Sequence, residues 1–307
     1  MEIAIDIGYG HTKIKTKDSE LKFPTAIELV KTQWIETDCY SFEGKKFNVG
    51  NDATRNALPT RDYEFLYKYS PLLIVEALKS LGIDEIKDEI TIKTGLSLYD
   101  ISKPAVFEKK YASRGEEFIN RISKFYINDK EFNFKIKLFA QGQGVWQDYC
   151  LENGVITDGY DVVVDIGYRT NDIVVFKDGK ADKAVSSADN KGINQITTDL
   201  QVYLNKTYDV NFTEQEVGRI LKDKYIDISG ARKDLEIVIT NIVSSYIEIL
   251  FDSLKANYGE ILKIAKRVIV SGGGAYIIQE YADVLPGNIV FSSNPMEYAN
   301  VRGYYNG

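Results

Sequence analysis

The chain has 307 residues, a net charge of −7 and a pI of about 5.1, with two cysteines and one histidine. Its length allows two ordinary domains, each with its own core, and its acidic balance argues against direct nonspecific binding to nucleic acid, which needs clustered Lys and Arg to release counterions. Cys39, Cys150 and His11 form no metal-ligand spacing, which argues against a His/Cys metal site, and two cysteines so far apart in sequence suit a reducing cytoplasm.

The chain enters a strand pattern at once, with no charged-then-apolar leader, and no apolar run approaches the length of a membrane span. Residues 1–17 read as a strand hairpin, ended by Phe23-Pro24-Thr25. Ser41 to Val49 alternates about Glu43-Gly44-Lys45 and predicts a second hairpin, and the polar stretch Asn51 to Arg61 reads as a loop or short helix. Ser70-Pro71 has the form of a helix start, followed by an apolar face over Leu72, Leu73, Val75, Ala77, Leu78 and Leu81 and a stop at Gly82. Glu89 to Gly95 is a strand, residues 103–124 carry two short helical stretches, and Tyr126 to Phe139 is a hairpin.

Gln141-Gly142-Gln143-Gly144 leads into a helix ended by Gly154. A strand pair spans 161–186 with a turn at Asp178-Gly179-Lys180, and Gly192 opens a helix running to Leu204. Thr213-Glu214-Gln215-Glu216 has the form of a capping box. Residues 233–257 keep a 3.6-residue apolar period and predict a long helix. Arg267 to Val270 is a buried strand, Ser271 to Ala275 a glycine-rich turn, and Asn294 to Gly303 a last helix.

One pattern occurs twice. Asp6-Ile7-Gly8-Tyr9-Gly10-His11-Thr12-Lys13 follows Ile3-Ala4-Ile5, and Asp165-Ile166-Gly167-Tyr168-Arg169-Thr170-Asn171-Asp172 follows Val162-Val163-Val164. Each is an apolar strand, an acid, a small-residue turn and a second apolar strand, which marks an internal duplication. Such a turn lets backbone N–H groups approach phosphate oxygens. An Asp at each strand end can hold a hydrated Mg²⁺. One copy alone is as readily an ordinary hairpin; two at matched strand context point to a nucleotide clamped from both sides.

The ordered set of these two turns, the connector Gln141-Gly142-Gln143-Gly144 and Gly272-Gly273-Gly274-Ala275 resembles the actin, chaperone and sugar-kinase superfamily of ATPases. Within it the chain looks most like archaeal actin homologues and ParM-type plasmid-segregation actins. The resemblance implies an α/β fold of two duplicated RNase H-like domains with the nucleotide in the cleft between them. Domain I would take residues 1–143 plus 294–307, and domain II residues 144–293. It further implies ATP or ADP, with GTP or GDP as the alternative, and Mg²⁺ as cofactors. Asp6 and Asp165 match the acids that hold Mg²⁺ through water. Lys13 matches the base facing the outer phosphates, and Gly8, Tyr9, Gly10, Gly167, Tyr168 and Arg169 match the phosphate-lining turns. Gln141 matches the residue that orients the attacking water, with Asp172 in support. Gly192, Gly272, Gly273, Gly274 and Tyr276 match the ribose and base wall, and Lys222 matches the adenosine-contacting lysine in the pattern Glu216, Arg219, Lys222. ParM-type proteins often have Glu where this chain has Gln141. The function implied is a filament whose partner is a second copy of the chain, with a DNA-binding adaptor if DNA is the cargo. A monomeric kinase and a regulatory or assembly ATPase of the same superfamily are the alternatives.

Overall fold

The structure is a computed structural model that describes every residue except 31–38, 54–56, 60–61, 87 and 282–284. The first half opens with the antiparallel strands β1 (Glu2–Ile7), β2 (His11–Lys15) and β3 (Glu20–Pro24). The small strands β4 (Ile27–Leu29), β5 (Tyr40–Phe42) and β6 (Lys45–Val49) form a sheet of their own, with the expected turn at Glu43-Gly44. Helix α1 (Tyr63–Ser80) then crosses over to β7 (Thr91–Leu96). Helices α2 (Leu98–Ile101) and α3 (Arg114–Ser123), and the β8 (Lys124–Ile127) and β9 (Lys130–Asn133) ribbon, lead to β10 (Lys135–Ala140). The main sheet has the order β10-β7-β1-β2-β3, with β1, β7 and β10 parallel.

Helix α4 (Gln143–Asn153) carries the chain into the second half. There β11 (Tyr160–Ile166), β12 (Asn171–Lys177) and the short strands β13 (Lys180–Ala181) and β14 (Ser187–Asp189) form the antiparallel part. Helices α5 (Asn194–Tyr208) and α6 (Glu214–Asp223), the β15 (Tyr225–Ile228) and β16 (Ala231–Asp234) hairpin, and α7 (Glu236–Ile264) precede β17 (Ala265–Ser271). Helix α8 (Ala275–Tyr281), β18 (Ile289–Phe291) and α9 (Ala299–Asn306) complete the chain. The order is β13-β12-β11-β17-β18, with β11, β17 and β18 parallel. The two five-strand paths repeat one topology, so the duplicated turn is the visible remnant of a duplicated sheet.

Strand alternation decides where the acids go. Ile3, Ile5 and Ile7 enter the core beneath α1, so Ala4 and Asp6 fall on the opposite face, where Ala4 packs with Val301 and Tyr304 of α9. Likewise Val162, Val164 and Ile166 enter the core beneath α5 and α7, so Val163 and Asp165 face α4, where Val145 and Val163 pack together. Helices α4 and α9 therefore lie between the sheets. They touch backbone to backbone: a Cβ on Gly303 would sit 1.8 Å from the Gly144 carbonyl oxygen, and one on Gly144 would sit 2.5 Å from that of Asn300. Only glycine permits so close an approach.

Four local expectations are corrected. Helix α1 starts at Tyr63, capped by the Asp62 side chain, and runs through Ser70-Pro71 instead of starting there. Proline leaves the carbonyl of Tyr67 without its helical donor. Arg121 of α3 fills the gap, donating from Nε to the Tyr67 oxygen and from Nη2 to the Lys68 oxygen, each at 3.1 Å. Within 103–124 there is one helix, α3; its expected companion, α2, lies earlier. Lys135 to Ala140 leaves the hairpin to join the main sheet beside β7. The long helix starts at Glu236, because residues 231–234 pair as a strand, and extends to Ile264. Parts of the polar stretch 51–61 lie outside the described residues; Gly50–Ala53 is a 3-10 turn.

By length and composition α7 could cross a membrane. Its Ile239, Val243, Tyr246, Ile247, Leu250, Leu254 and Tyr258 are instead buried in the second core, the usual place for such a stripe.

Candidate nucleotide cleft

Between the sheets lies a cleft of about 810 Å³, a size suited to a small-molecule ligand. The duplicated turns form its two sides. Gly10 faces Tyr168, whose Cβ would lie 3.5 Å from a Cβ on that glycine, and the Arg169 guanidinium stands 5.5 Å from the centre of the Tyr9 ring. Tyr9 closes the wall from within its own core, its hydroxyl 3.4 Å from Asp100. Tyr168 donates its hydroxyl to Glu214 of α6.

The floor is acidic. Asp6 and Asp165 are only 2% and 6% exposed. Lys13, directly opposite Asp6 in the β1–β2 pairing, reaches its carboxylate at 3.0 Å, and Gln141 Nε2 lies 3.3 Å from the other oxygen. The equivalent partner of Asp165 in the β11–β12 pairing is not a lysine but a second acid, Asp172. Asn300 Nδ2 donates to Asp165 at 2.6 Å. Burial pushes the Asp165 carboxyl up to about 6, against the Asn300 hydrogen bond and with the added repulsion of Asp6. Burial, with repulsion from Asp165, pushes Asp172 up to about 7.

Asp172 also lines the cleft, with its carboxylate engaged by bonds within the protein. Its carboxylate accepts from Ser97 Oγ at 2.8 Å, from the Leu98 N–H at 2.7 Å and from Thr170 Oγ1 at 3.1 Å. The first two belong to the cap of α2, so Asp172 ties the first half to the second sheet beneath the cleft.

Lys13, Gly8, Gly10, Gln141, Gly167, Arg169, Gly272, Gly273 and Tyr276 all line the cleft. Gly272 carries a positive φ of 86° and lies so close to Asp165 that a Cβ would sit 2.5 Å from its Oδ1, so the turn needs glycine there. Three expected wall residues stand elsewhere. Gly192 lies behind the second turn, where its N–H and those of Ile193 and Asn194 bind the carbonyls of Arg169, Gly167 and Tyr168. Gly274 packs on Ile166 and donates its N–H to the carbonyl of that residue. Lys222 is exposed on α6, whose contribution to the wall is Gly218, one turn earlier, with Thr213 and Glu214 at the helix start.

Sequence reasoning missed Asn300 and a polar bridge at the mouth. Lys22 of β3 pairs with Glu297 at 2.8 Å, and the Tyr276 hydroxyl donates to Glu297 at 2.7 Å while accepting the Met296 N–H. None of these carries a local motif; the capping box at Thr213, which the structure contains, was the only sign of an organised α6 start.

Two family models match the chain in tandem: "Actin like proteins N terminal domain" over residues 4–144 and "Archaeal actin homologue MreB-like, C-terminal" over residues 163–283. This chain is actin-like. It is similar to an archaeal actin homolog of Thermoplasma acidophilum, 24% identical over 98% of this chain and 97% of the relative, and to one of Thermoplasma volcanium, 23% identical over the same shares. Among solved structures, the native crystal structure of an archaeal actin homolog superposes with a TM-score of 0.82 at 21% identity, covering 99% of this chain and 98% of that one. The complex of that homolog with ADP gives 0.77 at 20% identity, over 99% and 98%. A 15-stranded ParM filament from Clostridium botulinum gives 0.78 at 20% identity, over 99% and 97%. The actin-like chain thus has the α/β, two-sheet actin fold anticipated from its ordered motifs.

Proposed function

We propose that this actin-like protein binds Mg-ATP, with Mg-GTP as the alternative, in the cleft between its sheets, hydrolyses it, and assembles with copies of itself into filaments. The observation that carries the reading is the pair of duplicated turns facing each other across an acidic floor. The related ADP complex and ParM filament support it by likeness. The division into domain I, residues 1–143 plus 294–307, and domain II, residues 144–293, belongs to the same proposal. It places α9 with the first sheet, consistent with the packing of Val301 and Tyr304 against Ala4.

The site fits a hydrated Mg²⁺. Asp6 and Asp165 supply two oxygen-bearing acids, and among the described residues no group of three or more His, Cys, Asp or Glu side chains could hold a metal. Two carboxylates are the set suited to an ion that keeps most of its waters. When bound, Mg²⁺ would offset phosphate charge and stabilise the charge that develops as the outer phosphoryl group leaves. Lys13 adds a positive charge on the first side, and Arg169 stands on the second. Gln141 is held by Asp6 through Nε2; its side-chain oxygen has no protein partner among the described residues and is free to orient a water. Water positioning is the main task left to the protein when the transition state is loose.

An acidic chain leaves any DNA cargo to an adaptor. Calorimetric titration of the protein with ATP tests the binding step. Saturable one-to-one binding, strengthened by Mg²⁺, is expected; heat indistinguishable from buffer dilution with both ATP and GTP contradicts it.

A further inference from the structure

Asn300 sits at the start of α9, 7% exposed, and contacts two parts of the molecule that are far apart in sequence. Its Nδ2 donates to Asp165 Oδ2 at 2.6 Å, and its Oδ1 accepts the Gly142 N–H at 3.0 Å. These partners fix the orientation of the amide. Reversed, it would set its oxygen against a carboxylate and its NH₂ against an N–H. The backbone of Asn300 is equally confined, since a Cβ on Gly144 would lie 2.9 Å from its Cα. Asp165 thus has one of its oxygens held by a side chain whose own position is set by the α4–α9 contact. Gly142 is the residue after Gln141 and the one at which β10 hands over to α4, with a positive φ of 81°. A single side chain therefore joins an acid of the second sheet to the connector that carries Gln141.

We propose that Asn300 is a positioning residue for the divalent-cation site: it aims the Asp165 carboxylate and holds it at a fixed distance from the Gln141 connector. This rests on the Mg-ATP reading given above. Groups that orient a metal-bearing acid from behind commonly govern metal affinity without touching the metal. The role also explains why an asparagine is buried here. A purely structural α4–α9 contact would need only the acceptor for Gly142, whereas the donor on the other side serves Asp165.

The test is the affinity for ATP, measured by fluorescence or calorimetric titration with Mg²⁺ and again with the metal chelated, for the wild type, Asn300→Ser and Asn300→Ala. The alanine removes the donor to Asp165 without adding charge and, as a good helix former smaller than asparagine, leaves the close α4–α9 approach intact if the serine variant fails to fold. The ratio of the two affinities is expected to fall about tenfold or more in the variants, the loss typical of such orienting groups, while affinity in chelator stays at the wild-type value. A wild-type ratio in a folded variant, or equal loss with and without Mg²⁺, overturns the proposal and leaves Asn300 a packing residue. A wild type whose affinity ignores Mg²⁺ instead overturns the Mg-ATP reading, and this inference with it.

Discussion

Replacing Asp165 by Ala is expected to abolish Mg²⁺-dependent nucleotide hydrolysis, lowering the turnover number about 10³-fold, roughly 4 kcal/mol of transition-state stabilisation. The size follows from the position. Asp165 is buried at the end of β11, and Asp172, the acid opposite it, would have to give up bonds from Ser97, Leu98 and Thr170 to take its place. The fold should survive. Removing the carboxylate leaves Asn300 Nδ2 unpaired, a cost of about 1–3 kcal/mol, but it also relieves the repulsion Asp165 shares with Asp6 and Asp172. Phosphate release measured beside a thermal melt separates the two effects. Wild-type phosphate release from the folded variant would remove Asp165 from the metal site.

Gln141→Ala should slow hydrolysis by about 10²-fold while leaving nucleotide affinity close to the wild type, the pattern of a group that positions the attacking water. Gln141 follows β10 directly, and its backbone N–H is held by the Leu96 carbonyl at 2.8 Å, so the side chain is presented from a fixed stem. Its one bond within the described protein is the long contact to Asp6, so truncation costs the fold little. Single-turnover kinetics at saturating Mg-ATP reads the step itself. A wild-type rate would take water positioning away from Gln141, and a raised KM with unchanged turnover would make it a binding residue.

Much of this site was legible because the pattern was written in neighbouring residues. The alternation Ile3-Ala4-Ile5-Asp6 and Val162-Val163-Val164-Asp165 places each acid on one face of its strand, and the following glycine turn returns the chain alongside. The capping box at Thr213 is local and was readable for the same reason. Contacts made across the chain were not. Helix α1 continues through Pro71 only because Arg121, from another helix, supplies donors to the carbonyls beside it. Asn300 occurs in a run that reads simply as the last helix, and nothing adjacent announces that it meets both Asp165 and Gly142. The Lys22–Glu297 bridge joins nearly opposite ends of the sequence. Lys222 illustrates the converse: a spacing shared with relatives placed a side chain on the right helix, while the helix turns Gly218 to the wall.

The central claim is that nucleotide in this cleft controls assembly. Head-to-tail contacts between copies propagate into a filament when their rotation does not close into a ring. A ligand reaching both turns would favour one angle between the sheets, and only its stronger binding to that arrangement can shift the equilibrium. The most direct measurement is light scattering of the purified protein across a concentration series, with electron microscopy of the same samples, in Mg-ATP, Mg-ADP and no nucleotide. The account predicts filaments above a critical concentration in Mg-ATP or a non-hydrolysable analogue, with a higher critical concentration in Mg-ADP. A protein that stays monomeric with ATP and GTP alike, yet phosphorylates a small-molecule acceptor, would contradict it and make the chain a kinase.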